Sequence, residues 1–110
     1  VQLLALAASE SLLLISGDKR ALLAVSKVAE VAPMLAGKLV CLEAMMLALC
    51  KTLGVDRVRA AVAPHRQIDK VFQVCFSDGG TPAECLGSYM RDLQESVRPL
   101  VLWSPDGGAP

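Results

Sequence analysis

Residues 39–50, LVCLEAMMLALC, carry a single charge in twelve positions and show no polar face. Such a segment must be covered on every side, by lipid, by its own domain or by a partner. Lys38 and Lys51 bracket it, and Glu43 lies inside it. A bilayer span needs about twenty residues of low charge, whereas roughly ten to fourteen point to a buried helix. A charge within a span also adds roughly 2.5 to 3.5 kcal/mol on insertion scales. No membrane span is expected, and the segment reads as the central helix of a packed domain.

The rest of the chain supports that reading. Apolar residues make up 54% and charged residues 20% of the sequence, a core-rich balance rather than a disordered one. The aromatics are Phe72, Phe76, Tyr89 and Trp103 alone, so the core must come from Leu, Val, Ala and Met, which favour helices. Eleven basic residues balance eleven acidic ones, leaving no global field to attract nucleic acid or anionic lipid. The chain opens inside an apolar run, VQLLALAASESLLLI. Residues 1–98 are read as one helical domain excised from a larger protein, with 99–110 as an extended C-terminal segment.

Start and stop signals divide the sequence into helices. The first is expected over Val1 to Ile15, ending at Ser16-Gly17-Asp18, where Gly suits a C-terminal cap. Asp18 can cap the next, KRALLAVSKVAEVA, which has Leu22, Val25, Val28, Ala29 and Ala32 on one face. Pro33 breaks or kinks the chain and opens a third helix, MLAGKLVCLEAMMLALCKTL, which Lys51 and Gly54 terminate. In VDRVRAAVAPHRQIDKVFQVCF, Pro64 kinks one helix or separates two, and Ile68, Val71, Phe72 and Cys75 follow helical spacing. Thr81-Pro82-Ala83-Glu84 has capping-box spacing with Pro at the first helical position. The helix it opens carries Leu86, Tyr89, Met90, Leu93 and Val97 on one face and ends before Pro99.

Alternation is nowhere sustained, so no strand is expected. The predicted fold is all-α: a compact bundle of five helices, six if Pro64 makes a full break, around a central apolar helix at about 33–53. Short connections favour antiparallel neighbours. An ARM- or HEAT-like helix stack is the architectural alternative.

Candidate chemistry is sparse. Cys41, Cys50, Cys75 and Cys85 form no C-x-x-C pair, and their spacings of nine and ten do not suit a structural zinc site. Reduced core thiols in a cytoplasmic or nuclear protein are expected, with no metal and no cofactor. A Cys–His nucleophile would have to use His65, the one histidine, with Cys85 at a helix start as the best thiol. The chain has no Asn to orient the imidazole, and a non-enzymatic role is the better reading, with a fragment of an enzyme whose active site lies elsewhere as an alternative. Arg57, Arg59, Arg66 and Lys70 give residues 51–70 a basic excess that could touch phosphates. A solvated face complementing the acidic residues after 71 explains the same charges.

Protein interaction remains. If the other helices fail to cover the central one, an apolar groove is left that a partner's amphipathic helix or a second copy of the chain can fill. Met45, Met46, Leu49 and Trp103 are the candidate partner-binding residues of a scaffold or adaptor domain. Trp103 precedes Ser104-Pro105, a minimal site for proline-directed phosphorylation. Alternatively, Leu100, Leu102 and Trp103 fold back to cap the bundle. The nucleic-acid alternative has a simple check: filter binding is expected to show no salt-dependent retention of DNA or RNA, and retention falling steeply with salt would reinstate it.

Overall fold

The computed structural model describes residues 13–77 and 80–105. Its elements are strand β1 (Leu14–Ser16), helix α1 (Lys19–Ser26), strand β2 (Leu39–Cys41) and helices α2 (Leu42–Leu53), α3 (Val55–Val62), α4 (Lys70–Cys75) and α5 (Pro82–Ser96). Two 3-10 turns, Ala32–Leu35 and Ala63–His65, each form around a proline. The described chain is thus mainly helical, but it is not purely all-α.

The departure is a parallel pair. β1 runs beside β2 in the register Leu14↔Leu39, Ile15↔Val40 and Ser16↔Cys41. Parallel strands need a crossover, and α1 with the turn after it supplies one. The expected helix over Val1–Ile15 therefore fails at its C-terminal end, where Leu14–Ser16 is extended, while residues 1–12 lie outside the described residues. The expected helix at 33–53 is also corrected. Gly37 takes a left-handed φ of 72°, which breaks the helical path, and β2 precedes α2. All three β2 residues are buried, as strands covered on both faces are, and such a run shows no alternation.

β2 has a second neighbour. The Gly37 amide donates to the Val101 carbonyl at 2.8 Å and the Trp103 amide to the Leu39 carbonyl at 2.9 Å. Residues 101–103 therefore run alongside β2 in the same direction. The outward backbone groups of that segment meet a buried side-chain amide on α5. Gln94 donates to the Leu100 carbonyl at 2.7 Å and accepts from the Leu102 amide at 2.8 Å. Leu100 and Leu102 are buried, so the fold-back of these residues is what the structure contains.

Several local signals are realised. Asp18 caps α1 by accepting from the Ala21 amide. Gly54, at φ 92°, ends α2 with its amide on Cys50. Pro64 makes a full break between α3 and α4. On α5, Leu86, Met90 and Leu93 are buried with Val97 just beyond, and Tyr89 is half-buried. Thr81 departs slightly, since its hydroxyl bonds the Glu84 carboxylate at 3.1 Å rather than a backbone amide. Two helices are shorter than expected. α1 stops at Ser26, leaving Val28 exposed, and Ile68 lies outside α4 in solvent. Val71 and Cys75 alone carry the buried face of that six-residue helix.

The cysteines are corrected in part. Cys75 ends α4 and Cys85 lies in the first turns of α5, and the two form a disulfide with Cα atoms 5.3 Å apart, well inside bridging distance. Cys41 and Cys50 are free and buried. Burial pushes both thiols above their ordinary range, and Cys41 Sγ accepts the Ala44 amide as the N-cap of α2.

Glu43, one residue into α2, is almost fully buried. Its Oε2 lies 2.9 Å from Lys19 Nζ, close enough for an ion pair although the angle falls short of a hydrogen bond, and Oε1 has no hydrogen-bond partner among the described residues. The pair joins the start of α1 to the start of α2, where the helix dipole also favours the carboxylate. Lys19→Ala strands a buried charge and is expected to cost about 1–3 kcal/mol in urea denaturation. Adding Glu43→Gln to Lys19→Ala is expected to recover part of that loss; equal stability of wild type and Lys19→Ala would show that the pair contributes nothing.

Candidate protein-binding groove

α2 is apolar nearly all round because it has three environments. Ala44, Met46, Leu47 and Cys50 are buried, and the helix packs most extensively on α5. Its start grows directly out of β2. The remaining stripe, Met45, Ala48, Leu49, Thr52 and Leu53, follows the i, i+3, i+4, i+7, i+8 spacing of one helical face, and no element among the described residues covers it.

That stripe forms one wall of a groove of about 330 Å3. Leu13 and Ile15 line it from the β1 region, Val40 from β2, and Trp103 from the C-terminal segment. Leu13 and Ile15 share a face because side chains alternate along an extended chain. Leu13 is 56% exposed, Ile15 57%, Leu49 38% and Leu53 45%. Four large apolar side chains thus stand in water within one groove. Among the described residues no charged side chain lines it, and the one hydroxyl that does, Thr52 Oγ1, already donates to the Ala48 carbonyl at 2.9 Å. Small-molecule pockets hold a few placed polar groups that orient the ligand. This groove offers none, so its chemistry suits a row of apolar side chains.

Three of the four expected partner-binding residues, Met45, Leu49 and Trp103, meet here. Met46 does not, because it points into the core and is buried. Leu13, Ile15 and Val40 are not among the expected residues, since a helix is expected where the strands lie, and Leu53 is absent from them although its helix is expected. The short apolar run LLLIS before Gly17 is the signal that could have found Leu13 and Ile15, because runs of four to eight apolar residues fit a strand as well as a helix.

The basic residues do not assemble into one open face. Arg59 is drawn inward, its Nη2 donating to the Gly80 carbonyl at 3.2 Å with Nη1 3.9 Å from Asp56. Arg57 is exposed on α3, and Arg66 is half-buried in the turn after the second 3-10 segment. Lys70 borders a different cleft, beside Asp18, Lys19, Arg20, Asp69 and Tyr89. The charges of that cleft are largely engaged: Asp18 and Asp69 cap α1 and α4, and Lys19 pairs with Glu43. Cys85 has no thiol while it is bonded to Cys75, and His65 sits exposed in a 3-10 turn. Among the described residues, no helix is long and apolar enough to cross a membrane, and no group of three metal-ligating side chains gathers.

No protein-family model, no curated protein and no solved structure matches the chain. The groove must therefore be read from its own chemistry.

The division of α2 between core and groove is measurable. Met46→Ala is expected to cost about 2–5 kcal/mol, the range for a truncated core side chain. Leu49→Ala and Leu53→Ala are expected to cost less than about 1 kcal/mol each, as exposed positions do. Equal losses at Met46 and Leu49 in chemical denaturation would contradict the assignment.

Proposed function

We propose that the chain is a non-enzymatic protein-interaction domain, a scaffold or adaptor module that receives a partner's apolar side chains in the α2 groove. The observation that carries this reading is the gathering of exposed Leu13, Ile15, Leu49 and Leu53 beside Trp103 in a groove to which the described residues bring no charge. Scattered surface apolar residues need no explanation, but a contiguous group does. Trp is enriched among residues that dominate binding energy, and it stands here against helix-spaced Met45 and Leu49. A partner helix with anchors at i, i+3, i+4 and i+7, or a second copy of this chain, meets such a surface.

The cysteines bear on the setting. A persistent disulfide such as Cys75–Cys85 belongs with an oxidising compartment, which argues against the cytoplasmic or nuclear setting that composition favours. Nucleic-acid binding through residues 51–70 gains no support from Arg59, which is spent on internal contacts.

The test uses Leu49→Glu, which places a charge in the groove at an exposed position. Affinity capture of the wild-type chain is expected to retain a defined partner, or light scattering to show a dimer, and the variant is expected to lose either while keeping its far-UV spectrum. Capture and mass unchanged by Leu49→Glu would overturn the reading.

A further inference from the structure

We infer that two copies of the chain pair β1 with β1 about a two-fold axis at Ile15, so that their grooves merge into one buried apolar surface. The inference rests on the groove reading above and names the occupant of that site.

The backbone of β1 supplies the first support. The Leu14 amide donates to the Lys38 carbonyl at 2.8 Å, so Leu14 and Ser16 turn their backbone groups toward β2 and Ile15 turns its own away. Neither the Ile15 amide nor its carbonyl has a hydrogen-bond partner among the described residues, and Ile15 stands in water. Such an edge is a template for another strand, which natural chains blunt with Lys or Pro. Residues 13–16, LLIS, contain neither.

The opposite edge is closed. Gln94 bonds the outward Leu100 carbonyl and Leu102 amide of the C-terminal segment. A sheet with one open edge pairs once and stops, which gives a closed dimer instead of a filament.

Symmetry sets the third argument. Ile15 is the single outward-facing residue of a three-residue strand. Two such strands meeting antiparallel place Ile15 opposite Ile15, exchanging both N–H···O bonds with Cα atoms about 5.5 Å apart. The axis stands perpendicular to the sheet, so both Ile15 side chains emerge on one face. Val40, paired with Ile15 and lining the same groove, emerges there too. The two grooves become neighbours across the seam, and the described residues bring no charge to either.

The area fits a small dimer. At roughly 165 Å2 for an extended Leu or Ile, the exposed parts of Leu13, Ile15, Leu49 and Leu53 amount to roughly 300 Å2 per copy. A pair thus offers roughly half of the ~1,200 Å2 at which stable interfaces begin. Strand pairing along residues 13–17, with Met45, Val40 and Trp103, supplies the rest.

Sedimentation velocity of the full chain over a roughly hundredfold concentration range is expected to show the mass rising from 11.6 kDa toward twice that value. Ile15→Pro removes an amide that has no partner within the described chain, as Pro on an edge strand can. It is expected to raise the dimer dissociation constant at least about tenfold with an unchanged far-UV spectrum. In the wild type, the Ile15 amide is expected to exchange about tenfold more slowly at the concentrated end than at the dilute end. Ile15→Cys is expected to form a disulfide between chains without reductant, since about 5.5 Å is bridging distance. Val28→Cys, exposed outside the groove, is expected to form none.

A monomer throughout the range, or an Ile15 amide equally fast at both ends, overturns the inference. The groove then belongs to a different partner, which capture with Leu49→Glu tests by itself. A dimer that Leu49→Glu dissolves and Ile15→Pro leaves intact, with no Ile15→Cys crosslink, also overturns the strand pairing, while the groove reading survives. A dimer indifferent to both substitutions, with capture unaffected by Leu49→Glu, removes both.

Discussion

Backbone hydrogen bonding along residues 37–41 is the constraint on which the rest of the packing depends. Leu39, Val40 and Cys41 are buried on every side, and buried amides and carbonyls must find partners. β1 supplies them on one edge. The Val101 carbonyl and the Trp103 amide supply them on the other. Each solution imposes an element. A parallel β1 needs the α1 crossover, and the return of residues 101–103 needs α5 to turn the chain back and Gln94 to satisfy the far edge of the segment. The sequence-distant ends of the described chain therefore meet across three residues.

The same arrangement explains the groove. α2 starts where β2 stops, with Cys41 as its cap, so its direction is fixed by the strand. α5 covers one side of it and the sheet meets its start. The described elements leave no further helix for the side facing Leu13, Ile15 and Trp103. Glu43 reinforces the geometry. A buried carboxylate needs a cation, and Lys19 at the start of α1 reaches it, fastening the crossover helix to the central one. The central helix is thus positioned by backbone pairing and an ion pair, and its apolar surface exceeds what those neighbours hide.

How far this was legible in the sequence depends on the kind of signal. Caps and breakers act locally, so Asp18, Gly54, Pro64 and Pro82 were read where they operate. The face of α5 was legible because helical spacing from Leu86 to Val97 repeats over three turns. The strands were hidden for a physical reason. Each spans three residues, and buried parallel strands carry continuous apolar runs that a helical pattern absorbs. The Cys75–Cys85 bond was hidden because it depends on how the loop between α4 and α5 brings the helix ends together, which spacing does not encode. Within the site, Met45, Leu49 and Trp103 followed from apolar excess and from the unusual Trp. Met46 was misplaced because an all-apolar helix gives no moment to tell groove from core, and Leu13 and Ile15 were missed together with their strand.

Residues 37–41 hold both β1 and the 101–103 segment, and thereby place Trp103 beside α2. Residue-resolved hydrogen exchange tests this placement directly. The Gly37 and Trp103 amides, whose acceptors lie across the β2 edge, are expected to exchange as slowly as the Leu102 amide on Gln94, with all three opening together in one cooperative event. Rapid exchange at Trp103 and Leu102 while α2 and α5 stay protected would contradict it, because the C-terminal segment would then not belong to the core that shapes the groove.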